Sequence, residues 1–295
     1  MALAAPVLWS TSGMFIKILT IAPLPLAGLR CAMAALTFLP LLRPFKSRPF
    51  KFRPFKIRRF KIRPTADFLV LTGAYTAMSL AFVTATRWTT AANAIALQST
   101  APAWVFLLGG LAARRVPWRH APAIALILAG LAVVLAEPGA GLTMRGNLLA
   151  AASGLLFALT TIFFARVRRP PVEVIFSINL AAALVLFLAN PAAYRPAQIP
   201  PRDWLILAYL GSVQIGLGLL LYYAALRRIP ASQAQVLALL EPLLNPIWVF
   251  LAIGEVPSRH GFAGGAMVLC GIFADALVRR KNGGPSPRKK DEKNG

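Results

Sequence analysis

Ten apolar runs, each close to the length of a bilayer crossing, occupy most of the 295 residues. Cut at charged, Pro-rich or Gly-rich breaks, they cover approximately 2–20, 24–42, 66–86, 91–113, 118–136, 146–165, 172–190, 203–224, 231–253 and 260–278. Such lengths match a hydrocarbon core of about 30 Å. Lipid offers the backbone no hydrogen bonds, so each run must satisfy its own as a helix, and none shows the alternation of an outer-membrane barrel strand. Composition agrees, with 58% apolar and 14% charged residues against roughly 45–50% and 25% in soluble domains. The expected fold class is an all-α polytopic membrane protein of ten transmembrane helices.

The net charge of +23 then reads as topology rather than as a nucleic-acid footprint. With the N-terminus inside, the cytoplasmic segments hold 25 Lys and Arg residues and the outer segments five, Arg87, Arg145, Arg195, Arg202 and Arg259. Basic residues collect on cytoplasmic loops, so both termini are expected inside. The first run starts at Ala2 without a basic residue before it, unlike a cleavable signal peptide, and reads as a retained helix.

An internal repeat adds a second constraint. At an offset of 140, residues 91–123 align without a gap to 231–263, and 11 of 33 positions are identical. Pro102 matches Pro242, and Val116-Pro117 with Arg119-His120 matches Val256-Pro257 with Arg259-His260. Two five-helix halves follow, 1–140 and 141–280, with a basic tail at 281–295 expected to be disordered and cytoplasmic. Five is odd, so the halves are inverted, an architecture of secondary transporters whose substrate site lies near the midplane. Residues 43–64 read RPFKSRPFKFRPFKIRRFKIRP, a tandem repeat whose prolines forbid a regular helix. This loop and 279–293 either bind anionic lipid headgroups or are simply solvated.

No P-loop, GxSxG, HExxH or CxxC is present, and neither an enzyme activity, a cofactor nor a metal is expected. Cys31 and Cys270 lie in apolar runs and read as packing residues; His120 and His260 read as caps at equivalent loop edges. Glu241 is the one acidic residue near a span centre, where a charge is costly. It precedes Pro242, which frees the carbonyl of Ala238. Two readings stay open for it: a proton-titrating or substrate-contacting group, or a structural partner of a cation. Asp275 is expected to be solvated near the inner interface. Lys17 either snorkels outward or joins a charge network, and Arg30 is either an interhelical clamp or an attractor for a substrate carboxylate. Trp9, Tyr75, Asn93, Gln98, Gln214, Tyr222 and Gln235 are candidates for the translocation path, although each alone can be interhelical glue. Asn93 and Gln98 are expected to face Gln233, Gln235 and Asn245 in a polar seam.

Through these residues the chain resembles the EamA-type branch of the drug/metabolite transporter superfamily. The likeness covers nearly the whole chain and rests on WSTSGMFIK (9–17), PLAGLR (25–30) and LLEPLLNPIWVFLAIGE (239–255). It implies ten helices in two inverted halves with both termini inside, and a cavity lined by spans 1, 3, 4, 6, 8 and 9. Trp9, Lys17, Arg30, Pro102, Glu241, Pro242 and Glu255 occupy the motif positions. Arg115 stands where the first-half loop usually ends in glutamate, and the 43–64 loop is longer and more basic than is usual. The expected function is a bacterial inner-membrane transporter working by alternating access as a monomer or homodimer. It would export amino-acid-like or amphipathic, cationic metabolites, coupled to protons or as a uniporter, with a small-molecule substrate and no nucleic-acid partner. The alternative is a non-transporting scaffold or regulator acting through its basic loop.

Overall fold

The structure is a computed structural model that describes residues 3–42, 65–112, 120–136, 142–167, 169–229, 234, 237, 238 and 240–281. The 43–64 repeat and the tail beyond Lys281 lie outside the described residues. Within them the chain is a helical bundle without strands. Helices α1 (Ala4–Ser10) and α2 (Ser12–Ile18) come from the first run, α3 (Pro23–Phe38) from the second and α4 (Ala66–Trp88) from the third. The fourth run gives α5 (Ala91–Gln98) and α6 (Ala101–Ala112), followed by α7 (Ala121–Leu135), α8 (Leu142–Arg166) and α9 (Pro171–Ala189). The eighth is α10 (Pro201–Ala208), a π-helical segment Tyr209–Leu217 and α11 (Gly218–Leu226). Last come α12 (Leu240–Ile253) and α13 (Arg259–Lys281). Among the described residues five stretches, Ala66–Trp88, Ala91–Leu111, Thr143–Arg166, Pro171–Ala189 and Pro201–Leu226, are long and apolar enough to cross a membrane.

Helix starts follow from local chemistry. Pro23, Pro171 and Pro201 open α3, α9 and α10, where the missing N–H costs nothing. Thr65 and Thr90 accept from the N–H groups of Phe68 at 3.3 Å and Asn93 at 3.1 Å, supplying caps to orphan donors.

The first and fourth runs are broken rather than continuous. At Ser10–Ser12 the hydroxyls of Ser10 and Thr11 turn back to the carbonyls of Val7 at 2.7 Å and Leu8 at 2.8 Å, competing with the helix ladder. At Ser99–Thr100 the chain restarts one residue before Pro102, which cannot donate to the preceding turn. The ninth run does the same: the carbonyl of Ala238, freed by Pro242, is taken by the N–H of Glu241 at 3.0 Å, and α12 starts there. Pro102 and Pro242 thus mark helix restarts in corresponding places.

Small residues set the closest packing. A Cβ on Gly130 of α7 would meet the carbonyl oxygen of Gly264 on α13 at 2.6 Å, and a Cβ on Gly264 that of Gly130 at the same distance. Membrane bundles associate by such backbone approach because lipid supplies no hydrophobic drive between helices. Cys31 is buried on α3, as expected of a packing residue, whereas Cys270 is exposed on α13. Asp275 is also placed differently from the sequence expectation. It is buried, with Oδ1 2.6 Å from His120 Nδ1, because α7 and α13 pack so closely that water does not reach it.

Candidate translocation cavity

Seven of the sequence candidates line one internal cavity: Trp9, Arg30, Tyr75, Gln98, Gln214, Tyr222 and Glu241. The space is about 70 Å³, room for a handful of waters at ~10–15 Å³ each. Sites for drug-sized ligands run to about 300–1,000 Å³, so an organic solute enters only when the surrounding helices part. The lining comes from the expected spans, with the second span added through Arg30.

Arg30 owes its position to Gly211. The π-helical segment approaches α3 so closely that a Cβ at Gly211 would lie 2.7 Å from the Arg30 carbonyl oxygen, and Gln214 thereby reaches the guanidinium. Arg30 Nη2 donates to Gln214 Oε1 at 2.8 Å, while Nε is buried without a partner among the described residues. A π-turn inside an α-helix is frequently found at functional sites. The acceptor is a neutral amide, so the positive charge of Arg30 is not cancelled by it. Glu241 brings a carboxyl group to the same cavity from α12, and no ion pair within 4.0 Å joins it to Arg30.

Three rings form an apolar wall. Trp9 and Tyr222 have centroids 5.1 Å apart, and Phe157 lies 6.0 Å from Trp9 and 6.1 Å from Tyr222. Gly218 makes room for the indole, since a Cβ there would collide with Trp9 Nε1. Both tyrosine hydroxyls are held by the scaffold: Tyr75 donates to Asn179 Oδ1 at 2.8 Å, and Tyr222 lies 3.3 Å from Thr161 Oγ1. An aromatic wall beside a carboxylate attracts organic cations, and a guanidinium attracts carboxylates. The cavity offers both.

Other candidates lie elsewhere. Asn93 is turned away from the cavity toward α13, where a Cβ on Gly261 would meet its Oδ1, and Asn245 braces the first helix break, so of the described residues of the expected seam Gln98 alone lines the cavity. Gln233 and Gln235 fall outside the described residues. Lys17 sits in a largely buried clamp: Nζ pairs with Glu255 Oε2 at 2.9 Å and donates to the Thr89 carbonyl at 2.8 Å. Glu255 Oε1 accepts from the Ala91 N–H at 2.6 Å, capping α5. Gly254, with φ of +67°, ends α12 in the left-handed conformation that turns Glu255 into this position.

Met78, Ser79, Phe82, Phe157, Thr160 and Phe164 also line the cavity and were missed from the sequence. Their signal is helical spacing. Ser79 and Phe82 continue the face of Tyr75 at i+4 and i+7, and Phe157, Thr160 and Phe164 share a face of α8 at i, i+3 and i+7. Among the described residues no cluster of His, Cys, Asp and Glu is arranged for a metal ion.

A helical bundle with several membrane-length apolar helices around a buried cavity is the architecture of a multi-pass membrane protein. The sequence matches the EamA-like transporter family over residues 1–136 and again over 144–274, and the chain belongs to that family, part of the drug/metabolite transporter superfamily. Two proteins of Archaeoglobus fulgidus, each named "Uncharacterized transporter", are 29% identical over 195 residues and 24% identical over 202. The matches cover 65% of this chain and 69% of the first relative, and 64% and 68% for the second. A solved crystal structure, 19% identical, superposes over 95% of this chain and 97% of its own at a TM-score of 0.67. That likeness concerns the fold.

Proposed function

We propose that the protein is a secondary transporter that exports small organic metabolites by alternating access through the Arg30–Glu241 cavity. One observation carries the reading: a cation and a carboxylate face a buried cavity without an ion pair between them, beside an aromatic wall. Burying two such charges apart is expensive, and a zwitterionic or amphipathic cationic solute would compensate both while stacking on Trp9 and Tyr222. The two family matches, one per half, and the equivalent breaks at Pro102 and Pro242 support two inverted five-helix halves. The charge distribution supports ten spans with both termini cytoplasmic in a bacterial-type inner membrane.

Glu241 is the proton-coupling residue of this proposal. The purified protein in liposomes is expected to give saturable flux of amino-acid-like or cationic solutes, accelerated by an imposed pH gradient. Glu241→Gln keeps shape and hydrogen-bonding capacity but fixes a neutral side chain, so exchange should persist and the acceleration disappear. Unchanged gradient-driven flux in the variant would make Glu241 a structural residue. Absence of saturable flux for every solute would remove the transporter reading itself.

A further inference from the structure

We propose that the groove between α12 and α13 holds one acyl chain of an anionic membrane phospholipid, with its phosphate on Arg259. The groove has a volume of 1000 Å³ and lies apart from the central cavity. Its depth comes from residue size. The floor is Ala92, Ala96 and Ser99, small side chains at i, i+4 and i+7 of the fourth run, whereas the walls are large. On α12, Leu243, Ile247 and Phe250 follow the same spacing and are 53%, 50% and 56% exposed. On α13, Phe262 and Leu269 complete the opposite wall. Exposed apolar side chains on both lips of a deep apolar groove, in a chain that spans a membrane, are covered by lipid.

Length and charge choose the occupant. From Pro242 to Leu251 the groove follows α12 for roughly 14 Å at 1.5 Å per residue, about half of a hydrocarbon core of about 30 Å and so the depth of one leaflet. At its end stands Arg259, exposed and without an ion pair among the described residues. The nearest carboxylate in sequence, Glu255, is already committed to Lys17 and the Ala91 N–H. A lone guanidinium at the polar end of an apolar channel one leaflet deep fits a lipid phosphate, which it can hold bidentately. The bound chain lies against Ser99 and Pro242, the two helix breaks whose preceding residues, Gln98 and Glu241, face the cavity.

The inference requires a membrane-embedded chain but not transport, and its test reads binding alone. The full-length protein in mild detergent is titrated with phosphatidylglycerol and phosphatidylcholine and examined by native mass spectrometry. One phosphatidylglycerol is expected to be retained in preference to phosphatidylcholine. Arg259→Gln should weaken that retention about tenfold, while Arg145→Gln leaves it unchanged. Gly265→Leu serves as a second variant that need not unfold the protein: its Cβ meets only Ala96 Cβ, at 3.5 Å, so the leucine grows into the groove and should displace both lipids. Equal retention by the parent protein and Arg259→Gln would overturn the proposal. So would a dimer that Gly265→Leu dissociates while no lipid is retained, since a second copy would then cover the groove.

Discussion

Asn245 Nδ2 donates to the main-chain carbonyl of Ser10 at 2.6 Å, joining α12 to the break between α1 and α2. That carbonyl has lost its helical partner at the break, and Trp248 Nε1 adds a bond to Ser10 Oγ at 3.0 Å. Gly13 is what lets the amide in: a Cβ there would lie 2.6 Å from Asn245 Nδ2. The bend that brings Trp9 over the cavity is therefore held from the other half of the chain.

Removing this brace leaves a buried carbonyl unsatisfied, which costs about 1–3 kcal/mol. Asn245→Leu should lower stability by that amount, read as a lowered melting temperature in detergent. Gly13→Val should lower it similarly by expelling the amide. The double variant should lose less than the sum, because both substitutions break one contact. Full additivity would show that the Ser10–Asn245 bond is not shared.

The Lys17–Glu255 clamp should be weaker. Both side chains are about one-fifth exposed, 18% and 20%, so water screens the pair and a double-mutant cycle on Lys17→Gln and Glu255→Gln is expected to give a coupling of about 1 kcal/mol or less. The coupling should shrink as salt is raised. A coupling of several kcal/mol would mean that the pair is dry in the membrane.

Arg30 should trade stability for activity. Replacing it and its acceptor together, Arg30→Met with Gln214→Leu, removes a buried charge and leaves no orphaned amide. Such apolar replacements are neutral or stabilising by up to about 4 kcal/mol. The double variant is expected to melt at or above the parent temperature and to lose flux at least tenfold. Retained flux would take Arg30 out of the solute path.

Orientation is tested by labelling. Ser47 and Ala140 lie in segments that the charge asymmetry puts on opposite sides of the membrane. In intact cells a membrane-impermeant thiol reagent should label Ala140→Cys but reach Ser47→Cys only after lysis. Labelling of both from outside would remove the N-inside, ten-helix arrangement.

By itself the sequence determined the solvent of this protein, its helical class, the helix restarts at Pro102 and Pro242, and the candidacy of Arg30 and Glu241. Those conclusions rest on local facts: run length, a missing proline N–H, and the cost of charge in lipid. Only the tertiary structure decided which polar groups meet. Asn93 and Gln98 lie five residues apart on one helix, yet Gln98 reaches the cavity and Asn93 packs on α13, while Ser79 and Thr160 enter it unannounced. Spacing along a helix fixes which side chains share a face. It does not fix which way that face points, because in a bilayer both the lipid side and the packed side of a helix are apolar, and the rotation is set by close approaches such as Gly211 on Arg30 and Gly218 on Trp9.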